Sequence, residues 1–242
     1  LAGIAETTRI LGDYRLAHRQ HLAAYSAFRA SGDSRGEVWA LEGVGQILRN
    51  IGRPEAALRH FSRAKSLAAL AGDARGFAYA AKCRGECLAE LGHGESALDE
   101  VSCAIAEFER LGFQVGLGYS LKALGDIQHR RGNSDAAARS FRDALAVFGS
   151  MDDSRGLAYA TNGLAAVYSR RGDGVEAGRL YSVTQAYFAK TGVKFGAWKS
   201  TAGLQNLLKV GLIEPCELNG LVTAAAKTEN LGIVLANSAG AR

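Results

Sequence analysis

A period of forty residues runs through this chain and constrains its fold more than any other feature. The plainest copy covers residues 72–104, GDARGFAYAAKCRGECLAELGHGESALDEVSCA. Gly76 recurs as Gly36, Gly116, Gly156 and Gly196, and Tyr79 answers to Trp39, Tyr119 and Tyr159. Gly85 matches Gly45, Gly125 and Ala165, while Gly92 matches Gly12, Gly52, Gly132 and Gly172. Ala97 repeats as Ala17, Ala57, Ala137 and Ala177, and Ala104 as Ala24, Ala64, Ala144 and Ala224. A fixed spacing held across six columns is the mark of a stacked array, in which each unit buries its apolar face only against its neighbours.

Each period reads as two helices. Val38, Leu41, Val44, Gly45 and Leu48 fall three or four apart and make one apolar stripe. Gly52 stops that helix, since glycine enters the left-handed conformation without a Cβ penalty. Pro54 opens the next, where its missing N–H costs nothing. Ala57, Leu58, Phe61, Ala64 and Leu67 form the second stripe, and Gly72 ends it. Asp73, with Asp33 and Asp153, stands where a carboxylate caps the first free amides of the following helix. Small residues inside the helices give up some helix propensity and permit close approach.

Small Gly45, then Gly52, Ala57, aromatic Phe61 and Ala64, resemble the tetratricopeptide (TPR) signature at its own internal spacing. The aromatic column continues as Phe141 and Tyr181, with Val101 the exception and His21 in the first copy. A common TPR unit has thirty-four residues; the forty here resemble the long-repeat subclass known from spindle-orientation adaptors and from sensor arrays of bacterial regulators. The resemblance extends from about residue 5 to about residue 230. It implies an all-α, right-handed superhelical solenoid of about six helix-turn-helix repeats. The expected organisation is a partial repeat at 1–31, full repeats at 32–71, 72–111, 112–151 and 152–191, a degraded capping repeat at 192–231 and a tail at 232–242. In the capping repeat Gln205 replaces the small residue, Gly211 comes one place early and Glu217 replaces alanine. Between the third and fourth repeats, Gly149-Ser150-Met151-Asp152 replaces the usual glycine stop.

Composition narrows the function. No apolar run is long enough for a transmembrane helix, and LAGIAETTRI has no basic-then-apolar leader pattern. The chain opens without methionine, and Met151 is its only one, so it reads as a piece of something longer. The net charge of +5 is scattered, with adjacent arginines only at Arg130-Arg131 and Arg170-Arg171, which argues against a nucleic-acid surface. The four cysteines have no zinc spacing and read as buried thiols, kept reduced in a cytoplasmic protein. His18 and His21, three apart, read as surface or packing residues rather than metal ligands. No GxSxG, HExxH or phosphate-loop motif occurs, and RGDGVEAG at 171–178 is an inter-helix turn. The sequence therefore points away from an enzyme and implies neither a cofactor nor a metal.

By position, the resemblance places a concave groove on the first helix of each repeat. Trp39, Tyr79, Tyr119 and Tyr159 begin it. Glu42, Lys82, Lys122 and Asn162 form the next column, and Gln46, Glu86 and Asp126 the one after. Arg49, His129, Arg130 and Arg170 close it. Aromatic anchors with charged and amide neighbours suit a peptide or partner helix, and the same rings also suit packing between repeats. The chaperone-tail clamp of this family needs asparagine where Glu86 and Asp126 stand, so carboxylate capture is not expected. The expected role is a non-catalytic scaffold or sensor module for a protein or peptide partner. Two rival roles are a regulatory array in a larger bacterial signalling ATPase or transcription regulator, and a nucleic-acid-binding helical repeat.

Overall fold

The computed structural model describes residues 2–228 and Leu235. Among these it is all α-helix, without a strand: α1 (Ala2–Ile10), α2 (Tyr14–Ser31), α3 (Ser34–Asn50), α4 (Pro54–Leu70), α5 (Ala74–Glu90), α6 (Gly94–Arg110), α7 (Gln114–Arg130), α8 (Ser134–Ser150), α9 (Ser154–Arg171), α10 (Gly174–Thr191), α11 (Lys194–Lys209) and α12 (Pro215–Ala226). The helices run in tandem as an α solenoid. They divide between two compact halves, residues 1–123 and 124–242. In the first half each helix packs on the next from α1 to α6, and the first helices make a layer of their own, α1 on α3 and α3 on α5. In the second half α8, α9, α10 and α11 pack in succession, α9 meets α11, and α12 lies against α10. The tail expected at 232–242 falls outside the described residues except for Leu235, which is helical and buried.

The turns follow the sequence closely. Gly12, Gly32, Gly52, Gly72, Gly92, Gly112, Gly132, Gly172, Gly192 and Gly211 all take positive φ at helix ends. Asp152 stands where that series calls for glycine and adopts φ 54°, the one non-glycine residue described in this region. The aspartate caps behave as expected. Asp33, Asp73 and Asp153 accept from the amides of Gly36, Gly76 and Gly156 at 2.9, 3.0 and 3.0 Å. Asp13 and Asp173 cap α2 and α10 in the same way.

The glycine column inside the first helices has a partner that the sequence reading passed over. A Cβ at Gly36 would lie 2.3 Å from Phe28, at Gly116 2.5 Å from Phe108, at Gly156 2.2 Å from Phe148 and at Gly196 2.5 Å from Phe188. These phenylalanines share the forty-residue period, broken once where Ala68 stands. Phe108, Phe148 and Phe188 are completely buried. A second set of seats serves the column that was recognised. Phe61 lies on Gly45, Phe141 on both Gly125 and Gly163, Tyr181 on Gly203 and His21 on Gly43. Ala17, Ala57, Ala97, Ala104, Ala137 and Ala144 have no exposed surface, as close helix approach requires.

Three expectations need correction. Ala224 is exposed and Ala225 is buried. The turn before α12 is lengthened, so Pro215 begins the helix one place late and the buried column moves with it. Helix length, expected from the period at roughly 15–18 residues, is 9 in α1 and 12 in α12. Of the cysteines only Cys83 and Cys87 are buried; Cys103 is half-buried and Cys216, in the first turn of the short α12, is exposed.

Candidate interaction face

The first half gathers five of the expected site residues on adjoining helices. Glu42, Gln46 and Arg49 follow one another at four and three residues along α3, so they share a face. Lys82 and Glu86, with Glu90, do the same on α5. Because α3 and α5 pack directly, the two rows meet. Gln46 Nε2 donates to Cys83 Sγ at 3.0 Å. Arg49 Nη1 donates to Glu86, and Arg49 Nε lies 3.4 Å from Glu90 Oε1. Lys82 Nζ stands 3.4 Å from Glu86 Oε2. Glu86 thus bridges two cations, and the pairs are largely withdrawn from solvent, with 10% of the Lys82 side chain and 11% of the Glu86 side chain exposed.

Electrostatics follow from that arrangement. Burial alone would raise the Glu86 carboxyl, but Arg49, Lys82 and Lys122 outweigh it and hold the group well below the usual carboxylate range. The Glu86 charge is compensated within the face by Arg49 and Lys82. Glu42 is the contrary case. Burial pushes its carboxyl up to about 8, offset only in part by Lys82, and its Oε1 is buried without a hydrogen-bond partner. Burial also pushes the Cys83 thiol up to about 11 and Cys87 to about 12.

The aromatic column is half-buried throughout, and the rings described pack on other rings. Tyr79 meets Phe108 edge-on, with centroids 5.0 Å apart, and Phe113 at 6.1 Å. Tyr159 meets Phe188 at 4.9 Å. Phe108 and Phe188 each belong to the second helix of the same pair. Trp39 has Ala68 in that place and rests instead on His21, 4.7 Å away. His21 is fully buried between Trp39 and Gly43, in the manner of a core ring. Tyr119 is half-buried in the same column.

In the second half, Asn162 is 7% exposed and its Oδ1 has no partner; the neighbouring Thr161 hydroxyl is likewise buried and unpaired. Arg170 Nη1 donates to the His129 carbonyl. Burial lowers the affinity of the His129 imidazole for a proton, and Arg170 lowers it further. Arg130 is exposed, and Asp126 is half-buried on the same helix.

Cys83 belongs to this face although the sequence reading gave it no part there. The forty-residue offset was its only signal, since position 83 holds a small residue in every copy: Gly43, Ala123, Gly163 and Gly203.

Residues 120–147 match the family described as Tetratricopeptide repeat. No curated protein matches the chain. Among solved structures, the crystal structure of BtubC (BKLC) from P. vanneervenii is similar, with a TM-score of 0.54 and 15% identity over 96% of this chain and 89% of that one. At that identity the likeness speaks for the fold, a tandem array of helices. Among the described residues, no helix is long and apolar enough to cross a membrane.

Proposed function

We propose that this chain, a TPR-like repeat protein, serves as a non-catalytic scaffold that holds a peptide or partner helix on the first-helix face of α3 and α5. The observation that carries this reading is the division of labour around α3. Its small and apolar columns are used up in packing, with Gly36, Gly43 and Gly45 each seating a ring. Its polar column faces α5, and there Glu42 retains a buried carboxyl oxygen that nothing in the described chain satisfies. An unmade hydrogen bond in a buried site costs about 1–3 kcal/mol, which a ligand group can recover.

The ion pairs support the same role. Arg49 ties α3 to both Glu86 and Glu90 on α5, so the two helices present their side chains in one fixed register. A face ordered in advance binds with less loss of conformational freedom, and its alternating charges select partner orientation. The aromatic rings of Trp39 and Tyr79 add contact area at the edge of the face while they seal the helix pairs.

The reading is tested by selecting ligands from a random-peptide display library against the intact chain and mapping amide hydrogen exchange with and without a selected peptide. Protection gathered on α3 and α5 supports it; protection confined to other helices overturns it.

A further inference from the structure

The helix α11 breaks a rule that the earlier first helices keep. In α3 the stripe Val38, Leu41, Gly45 and Leu48 is buried, and Phe61 from α4 sits on Gly45. In α9 the corresponding Ala158, Thr161 and Ala165 have no exposed surface. In α11 the same stripe reads Trp198, Thr201, Gln205 and Leu208. Trp198 is 64% exposed, Leu208 is 38% exposed and Gln205 is also exposed. Successive separations of three, four and three residues put all four on one side of the helix.

The reason lies in α10 and α12. Position 174 is glycine where α4 has Pro54, and position 178 is glycine where α4 has Leu58. A Cβ at Gly174 would fall 1.8 Å from the Leu212 carbonyl oxygen, and one at Gly178 would lie 3.0 Å from Ile213 and 3.2 Å from Leu221. These two glycines, one turn apart, seat the last turn and α12 against α10. Gln205 meanwhile fills the place where Gly45 and Gly125 receive a ring. The stripe on α11 therefore occupies the position of a second helix's bed, without its glycine seat, and is left open.

Its surroundings state what would lie there. Phe195 stacks beside Trp198 with centroids 5.9 Å apart, and the Lys199 ammonium lies 5.2 Å over Phe195. The helix carries Lys194, Lys199 and Lys209 and no acidic residue. A second copy of α11 would bring like charge against like, whereas an acidic chain would be attracted.

We infer that the stripe Trp198, Thr201, Gln205 and Leu208 is a docking face for an acidic amphipathic helix of a partner protein, lying along the side of α11 that corresponds to the side of α3 covered by α4. Its residues all belong to α11, and none to α3 or α5.

Trp39 and Trp198 are the two tryptophans of the chain, so Trp39→Phe leaves Trp198 as the sole indole emitter. The probe is a synthetic helix of about 18 residues, five turns, with leucines on one face and glutamates on the other. Its lysine counterpart and a scrambled version serve as controls. The inference predicts a water-exposed emission for the free chain and a saturable blue shift with the acidic helix. Binding should be at least tenfold weaker to both controls and to Leu208→Glu, and should weaken with added salt. Calorimetry of the native chain against Trp198→Ala gives the same comparison should Trp39→Phe not fold. Absence of saturable binding, equal binding of the lysine helix, or undiminished binding by Leu208→Glu would overturn it. So would a free-chain emission already buried, which means the chain's own tail covers the face, or one that shifts with protein concentration, which means a second copy does.

Discussion

Phe148 lies over Gly156 so closely that a Cβ at Gly156 would come within 2.2 Å of the ring's Cδ1. Phe28 and Gly36, Phe108 and Gly116, and Phe188 and Gly196 repeat the contact. A glycine in a helix interior ordinarily costs about 1 kcal/mol relative to alanine and less in the first turn, where Gly156 stands, so Gly156→Ala should if anything favour an isolated helix. Here the ring has no free space to move into, being fully buried. Overpacking of a core typically costs about 1–3 kcal/mol. Gly156→Ala is expected to lower stability in a denaturant titration, whereas a gain would mean that the ring repacks at no cost.

Asp152 gives the opposite sign. It holds φ 54° at a helix end where the other described stops are glycine. A left-handed conformation costs an L-residue roughly 1–2 kcal/mol, less for aspartate than for most. Asp152→Gly should therefore raise stability by up to about 1 kcal/mol, after the greater unfolded-state freedom of glycine is counted. A shift in midpoint at unchanged slope is the readout.

Glu42 predicts a pH dependence. Its carboxyl rises from 4.5 to about 8 on folding because burial disfavours the anion. The folded chain thus holds this proton more tightly than the unfolded chain. The stability it contributes is complete below pH 4.5 and is lost as pH rises to about 8. Glu42→Gln removes the titration, so it should match the native chain near pH 4.5 and exceed it above pH 8, by on the order of 5 kcal/mol. Parallel stability curves across that range would contradict the burial of this carboxyl.

The thiols should divide by burial. Cys216 is exposed, while Cys83 and Cys87 are buried, with thiols pushed up to about 11 and 12. Near neutral pH, a thiol reagent should modify Cys216 first and reach Cys83 and Cys87 only at the rate of unfolding. Peptide mapping of the labelled chain distinguishes them, and rapid labelling of Cys83 would rule out the packing described around Gln46.

The fold could be read from the sequence because its cause is local and periodic. Glycine stops, aspartate caps and buried alanines each need only their own column, and a column can be counted. The ring seats were harder. Phe28, Phe108, Phe148 and Phe188 form a column as regular as Tyr79's, but Ala68 interrupts it, and its meaning lies in the glycine eight residues later. The face on α3 and α5 was legible as positions and illegible as chemistry. Spacing put Arg49 and Glu86 in neighbouring columns. Their pairing, the compensation of Glu86 by Lys82 and the isolation of the Glu42 oxygen depend on side-chain conformations across two helices.

The most direct test of the scaffold reading is the affinity of a library-selected peptide for three chains: the native protein, Glu42→Leu and Arg139→Ala. Arg139 is exposed on α8 and belongs to the other half of the chain. Glu42→Leu removes the carboxyl oxygens and leaves an apolar side chain that needs no hydrogen bond in a buried place. The account predicts at least a tenfold loss of affinity, about 1.4 kcal/mol, for Glu42→Leu and none for Arg139→Ala. Full affinity in Glu42→Leu, or an equal loss in both variants, would contradict it.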